Sequence, residues 1–280
     1  MKILIAGNKG QLAREIARAA GARGHEVHGF DMDELSIADF GAVSRKLSNV
    51  QPDLLINCAA FNDVDGAEER WEEAFLANGI GVKNLALAAT NNNAVFVHYG
   101  TDFVFDGEAT KPYTIADLAN PISMYGQSKL LGEELLAAHG SRYYMIRTSW
   151  LFGDGVFSFP LKVAEWAGKT QTIKMVDDQV SCPTYTADLA EATMKLVETG
   201  SFGLYHVTNS GYCSKYEWAK FILQCLGWKG TLLPAKSADF KTAARRPAFS
   251  AMDNFPLAQT IGSAMPTWQD ATERFLKTRK

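Results

Sequence analysis

The first 150 residues alternate short, unbroken apolar runs with amphipathic segments of helix length. "KILIAG" gives way to "QLAREIARAAGARG", and "HEVHGF" to "DFGAVSRKLSNV". "PDLLINCAA" is followed by a long helical region, "GAEERWEEAFLANGIGVKNLALAATNN", with a break expected near Gly79 and Gly81. "AVFVHYG" and "YYMIRTSW" then flank a helix within residues 120–140. A strand that is apolar on both sides must be covered on both faces, and interleaved helices do the covering. The pattern therefore predicts an α/β chain with a parallel sheet joined by right-handed crossovers. After Trp150 the rhythm loosens into a glycine- and aromatic-rich loop, "FGDGVFSFP", a few helices and one further strand, "GLYHVTN". Residues 1–150 read as the main domain. Residues 151–280 read as a smaller second one that returns a strand or two to the main sheet.

The bulk numbers exclude several classes. At 280 residues, 47% hydrophobic and 21% charged, the chain is long enough to bury a real core. Its net charge of −3 is mixed along the chain, with no basic tract to suggest a nucleic-acid partner. No apolar run reaches membrane-spanning length, and "MKILIAG" already reads as a strand rather than a signal peptide. A cytoplasmic protein without a membrane partner is expected. Cys58, Cys182, Cys213 and Cys225 lack ligand spacing, so they read as reduced packing residues and no metal site is expected.

The turn after the first strand carries a ligand signal. "GNKGQLA", residues 7–13, ends a strand and opens a helix. Gly7 and Gly10 permit a tight turn and close approach to a pyrophosphate, and the helix start offers unpaired N–H groups to it. Ala13 is small enough for helix–strand packing. Asp31 follows the second strand, where a carboxylate can accept from an adenosine ribose hydroxyl. Asp39 and Phe40 either border the adenine or simply start a helix.

Two tyrosine–lysine pairs stand at i and i+4, Tyr125 with Lys129 and Tyr216 with Lys220. Such side chains lie one above the other on a helix and can share a site. In the first helix, Leu131, Leu135 and Ala138 read as the core stripe, leaving Tyr125 and Lys129 a face of their own. In the second, Ser214 and Glu217 read as a capping box at the start of an amphipathic helix. Spacing alone does not choose between the pairs.

The segments "GNKGQLA", "INCAAFNDVDGAE", "GTDFVFDG", "NPISMYGQSKLLGE", "IRTSWLFG", "DQVSCPTYTADLA", "GLYHVTNSGYCSKYEWA" and "RRPAFS" occur in that order. Over almost its whole length the chain thereby resembles the extended short-chain dehydrogenase/reductase family. "GTDFVFDG", "RTSWLFG" and "DQ…PTY" resemble its nucleotide-sugar reductases most. The resemblance implies a Rossmann-type doubly wound parallel sheet, with NAD(P) bound by residues 1–150 and substrate mainly by residues 151–280. It implies NADP(H) or NAD(H) as cofactor, a dTDP-4-keto-6-deoxysugar as substrate, and a monomer or homodimer. Tyr125 would be the proton donor, Lys129 its partner and Thr101 the third catalytic residue, so the Tyr125 pair is favoured over Tyr216–Lys220. Gly7, Asn8, Lys9, Gly10, Gln11, Leu12, Asp31, Asp39, Phe40, Ala59, Ala60, Tyr125 and Lys129 would bind the cofactor. Asn62, Val64, Thr101, Asp102, Phe103, Tyr125 and Trp150 would bind the sugar. Departures from the family pattern fall at Ala13, Gly100, Phe103 and Ser181.

The implied chemistry delivers a hydride to carbon and a proton to oxygen. A phenol with an ordinary pKa of about 10 is a sluggish proton shuttle, and the Lys129 ammonium is expected to lower it. Thr101 would hold the carbonyl oxygen. Dehydratases of the family carry an Asp–Glu pair after the Thr, whereas here Asp102 is followed by Phe103, so simple reduction fits better. A 4-epimerase and a non-catalytic NADP-binding subunit are the alternatives. For the diphosphate, Arg147 and the pair Arg245–Arg246 are candidates, each with a solvated surface role as the other reading. Phe157 is a candidate to stack near the base.

Overall fold

The structure is a computed structural model describing residues 1–155 and 158–279, so Phe157 lies outside the described residues. The opening apolar run is β1 (Lys2–Ala6), followed by α1 (Gln11–Ala22), β2 (Glu26–Phe30), α2 (Phe40–Val50) and β3 (Leu54–Asn57). The long helical region divides at Arg70 into α3 (Gly66–Glu69) and α4 (Trp71–Phe75), then widens into a π-helical turn, Leu76–Ile80, and continues as α5 (Gly81–Asn91). Gly79 and Gly81 therefore mark a widening rather than a break. Next come β4 (Val95–Thr101), a 3-10 turn (Asp102–Val104), α6 (Met124–His139) and β5 (Tyr143–Thr148).

The second half contains β6 (Leu151–Phe152), α7 (Phe159–Lys169), β7 (Thr172–Val176), β8 (Val180–Ser181), β9 (Thr184–Tyr185) and α8 (Thr186–Thr199). It continues through β10 (Gly203–His206), β11 (Cys213–Ser214), α9 (Lys215–Cys225), β12 (Thr231–Ala235), α10 (Leu257–Ile261) and α11 (Trp268–Lys277). The strands β7 and β12, which the apolar pattern does not flag, pair with each other in parallel.

Six strands form one parallel sheet in the order β10-β5-β4-β3-β1-β2. Ile3 and Ile5 face α1 and α8, while Leu4 and Ala6 face α2 and α5, so β1 buries both sides. This is the doubly wound α/β sheet that the alternation predicts. The strand order reverses between β1 and β3, and ligands collect at the carboxyl ends of strands beside such a switch point. A separate aromatic cluster around Phe152, Trp218, Trp268 and Phe275 packs the second half. Among the described residues, no helix is long and apolar enough to cross a membrane.

The helix α6 overturns one expectation. Its buried face is Tyr125, Ser128, Lys129, Gly132, Glu133 and Leu136, whereas Leu131 and Leu135 are half-buried and Ala138 is exposed. The polar face turns inward because it finds partners there. Ser128 accepts from Asn78 in the π turn at 2.9 Å, Lys129 donates to the Tyr99 carbonyl at 2.6 Å, and Glu133 meets Arg147.

Candidate active site

A cavity of about 550 Å³ opens at the carboxyl ends of β1, β3, β4 and β5. A second, of about 480 Å³, adjoins it on the β2 side, and Lys9, Gly10, Ala59, Ala60 and Asn62 line both. The glycine turn shapes the boundary. Gly7 has φ +75°, and a Cβ there would stand 2.6 Å from the Ala59 nitrogen, so only glycine allows the β1 and β3 ends to approach this closely. Helix α1 begins at Gly10 without a side-chain cap and without an acid in its first turn. Its leading N–H groups thus have no intrahelical acceptor and face an anion-sized space.

The residues named for the cofactor divide. Gly7, Lys9, Gly10, Gln11, Leu12, Ala59, Ala60 and Lys129 line one cavity or both, and Asp31 lines the second. The Asp31 carboxylate accepts from the backbone N–H groups of Lys9, at 3.0 Å, and Met32, at 2.8 Å. Asn8 lies outside both walls. Its N–H donates to the Phe30 carbonyl at 3.2 Å and its side chain packs over Gly29. Asp39 and Phe40 also lie outside: Asp39 caps α2 by accepting from Ala42 N–H at 2.9 Å, and Phe40 is exposed. Here the helix-start reading describes the geometry. Ser36, Ile37 and Ala38, just before them, form that part of the wall instead.

Two buried acceptors suit a dinucleotide. Gln11 Oε1 and Thr148 Oγ1 have no hydrogen-bond partner among the described residues, and both residues line the larger cavity. Buried polar atoms of this kind are costly unless a ligand or water meets them. With the Gly7 approach and the open start of α1, they make a cradle that a nicotinamide dinucleotide fits.

Thr101, Tyr125 and Lys129 all line this cavity. Thr101 ends β4, and Tyr125 sits in the first turn of α6, capped by Ser123. Gly126 lets that turn approach closely, since a Cβ there would stand 2.3 Å from the Phe103 carbonyl oxygen. The Thr101 hydroxyl and the Tyr125 phenol share the wall of this cavity. Burial pushes that phenol up to about 12, opposed by the Thr101 hydroxyl and reinforced by the charge of Asp102. This differs from the expectation that Lys129 pulls the phenol down: the charge that acts on the phenol is that of Asp102, which pushes the same way as burial. Lys129 itself is held down at about 8 by burial, opposed by Glu133 and Cys58.

Of the residues named for the sugar, Asn62, Val64, Thr101, Asp102, Phe103, Tyr125 and Trp150 all line the larger cavity. Phe103 meets the Tyr125 ring edge-on at 5.6 Å. Asp102 is buried, and its oxygens are taken by Thr101, Ser181 and Ser250. Trp150 adopts φ +40°, a strained conformation for so bulky a residue, and stacks on Trp218 at 5.9 Å. The Tyr216–Lys220 pair lies on α9, away from either cavity, behind a capping box in which Ser214 and Glu217 bond reciprocally.

The three arginines separate. Arg147 is buried against Glu133 and stacked over Phe105, Arg245 is exposed, and Arg246 pairs with Asp65 at 2.7 Å. Sequence reasoning missed Lys215, whose ammonium lies 5.3 Å from the Trp150 ring centre. Burial and nearby Arg246 hold that ammonium below the usual lysine range. Lys215 and Trp150 also line a third, smaller cavity of about 260 Å³, together with Phe159, Lys162 and Trp218. Asn78, likewise missed, ties the Phe61 backbone to Ser128 and so fixes the β3 loop against α6. Among the described residues, no group of three His, Cys, Asp or Glu side chains is placed to hold a metal ion.

The whole chain, residues 1–280, matches the family described as the RmlD substrate binding domain. It is 37% identical over 278 residues to the spore coat polysaccharide biosynthesis protein SpsK of Bacillus subtilis, covering 99% of this chain and 98% of that one. It is 32% identical over 290 residues to a dTDP-4-dehydrorhamnose reductase of Burkholderia thailandensis, covering 97% and 96% of the two chains. A crystal structure of a dTDP-4-dehydrorhamnose reductase from Clostridium acetobutylicum aligns with TM-score 0.97 at 38% identity, over 100% of this chain and 99% of that one. The Bacillus anthracis enzyme of that name, in complex with NADP, aligns with TM-score 0.95 at 33% identity, over 99% of each chain.

Proposed function

The chain belongs to the RmlD substrate binding domain family, and from that membership we propose that it reduces dTDP-4-dehydro-L-rhamnose to dTDP-L-rhamnose with NADPH or NADH. The observation that carries the reading is the meeting of Thr101, Tyr125 and Lys129 in one cavity that runs on to the glycine turn at Gly7. The bound nicotinamide supplies the hydride; everything else is the work of side chains.

The N–H groups after Gly10 at the start of α1 would hold the pyrophosphate, and Asp31 would accept from an adenosine ribose hydroxyl. Lys129 keeps one of its three donors on the Tyr99 carbonyl and has two left for the nicotinamide ribose. Tyr125 is fully protonated near neutrality, because its pKa of about 12 lies far above it. It therefore gives up the proton only when charge gathers on the sugar oxygen, and an alkoxide is more basic than even this phenolate. Proton and hydride then arrive together. Val64, Phe103 and Trp150 wall off water and offer the deoxysugar an apolar bed. Lys215, beside Trp150, would meet the diphosphate, and the small cavity it lines with Trp218 would take the base.

On this reading the protein acts in the cytoplasm, as a monomer or a homodimer and without a nucleic-acid partner. The test is to mix the protein with dTDP-4-dehydro-L-rhamnose and NADPH and follow nicotinamide absorbance while identifying the sugar. Loss of one NADPH per dTDP-L-rhamnose formed is expected. A 4-epimerase would show conversion without net NADPH loss, and a non-catalytic subunit no conversion; either result overturns the reading. Tyr125→Phe removes the proton donor and should cut turnover at least about a hundredfold while sparing NADPH binding.

A further inference from the structure

Asp102 is buried on the cavity wall, and both of its oxygens are engaged by hydroxyl groups. Its Oδ2 accepts from Ser250 at 2.5 Å and from Ser181 at 2.8 Å, and its Oδ1 accepts from Thr101 at 3.2 Å. The two serines come from distant parts of the chain. Ser181 ends β8, and Ser250 lies in the strand-like tail, where its N–H donates to the Val180 carbonyl at 2.9 Å. The backbone thus locks the serines side by side, and both are buried.

Thr101 has one proton and two lone pairs to share. It accepts from the Phe103 N–H at 3.2 Å and lines the same cavity as the Tyr125 phenol. Its proton goes to Asp102. In that arrangement Thr101 can only accept from Tyr125. Once the phenol has lost its proton, the phenolate needs a donor, and the Thr101 hydroxyl on the same cavity wall can supply one. The Thr101–Asp102 bond is the longest of the three on the carboxylate, so it is the one most easily released.

We propose that Ser181 and Ser250 are positioning residues: by satisfying the Asp102 carboxylate, they let the Thr101 hydroxyl turn from Asp102 to the Tyr125 oxygen as that oxygen loses its proton. This rests on the reductase reading above. The proton of Tyr125 goes to the sugar oxygen, the Thr101 O–H bond stays intact and only rotates, and no further reactant is needed. Without the serines, Asp102 would keep Thr101 as its remaining hydroxyl donor, and the phenolate would form unsupported.

The test is a cycle on turnover with the full-length protein. Ser181→Ala and, separately, Ser250→Ala are made in the native chain and in a Thr101→Val background. In the native background each should lower kcat by about tenfold, the scale of one hydrogen bond to a charged group, with NADPH affinity unchanged by fluorescence titration. In the Thr101→Val background each should change kcat by less than about twofold, because the hydroxyl through which the serines act is gone. Equal losses in both backgrounds would mean a merely structural role and would overturn the proposal, as would unchanged kcat in the native background. If one variant does not fold, the other completes the cycle. A native protein that fails to reduce the sugar overturns the reductase reading itself, a result distinct from native turnover that is indifferent to the serines.

Discussion

Arg147 closes on Glu133 through two nitrogens, Nε at 3.0 Å and Nη2 at 2.7 Å, beneath the helix that carries Tyr125 and Lys129. Both side chains are buried, and Arg147 joins β5 to α6 across the floor of the site. One of the three arginines that the sequence offers to a diphosphate is thus spent on holding the catalytic helix to the sheet.

Removing one partner of a buried ion pair leaves the other charge unpaired. Arg147→Ala should therefore cost about 3–5 kcal/mol in urea unfolding, far above a surface pair. The double change Arg147→Met with Glu133→Leu should recover much of that loss, since it removes both charges together. A single-variant loss below about 1 kcal/mol would show that water reaches the pair.

Lys129 sets a pH dependence with a definite sign. Burial lowers its pKa from 10.5 to about 8, so its charge is present below that value and lost above it. If the ammonium orients the cofactor, kcat/KM for the nicotinamide should fall as pH rises through about 8, the free-enzyme value. Stability should respond the opposite way. Between about 8 and 10.5 the unfolded chain binds the proton that the native chain lacks, so the contribution of Lys129 to stability rises with pH. Lys129→Met should abolish both dependences. A native pH profile flat from 7 to 10, all values being about those of ordinary buffers, would contradict the role.

Asp31 sets the balance between the two coenzymes. Its carboxylate stands at the end of β2 on the wall of the adjoining cavity, while the nearby Lys9 ammonium is already engaged by Asp33 at 2.6 Å. A 2′-phosphate would meet an unopposed negative charge there. Asp31→Asn should raise the ratio of kcat/KM for NADPH over NADH by about tenfold or more. An unchanged ratio would place the ribose elsewhere.

The sheet was legible because its strands carry their own signature. Lys2–Ala6 and Leu54–Asn57 are apolar on both faces, and only a sheet covered twice can use them. The strand Thr231–Ala235 was not legible, because it carries Pro234 and pairs only with Thr172–Val176 in a sheet where every strand is an edge. The buried face of α6 was misread for a related reason. Leucines usually mark the core, but here Ser128, Lys129 and Glu133 go inward to partners on other elements, which no local pattern records. The small residues Gly126, Ser128 and Gly132 on that face were the available signal of close packing. Ser181 and Ser250 lie 79 and 148 residues from Asp102 in sequence, and only the folded chain brings them to it.

The most direct test of the catalytic arrangement is a crystal structure of this protein grown with NADPH. We expect the pyrophosphate at the start of α1 and the nicotinamide ring beside the Tyr125 phenol, with Lys129 on its ribose and Thr101 across the gap. A ring bound away from those three side chains would contradict the assignment of Tyr125 as proton donor.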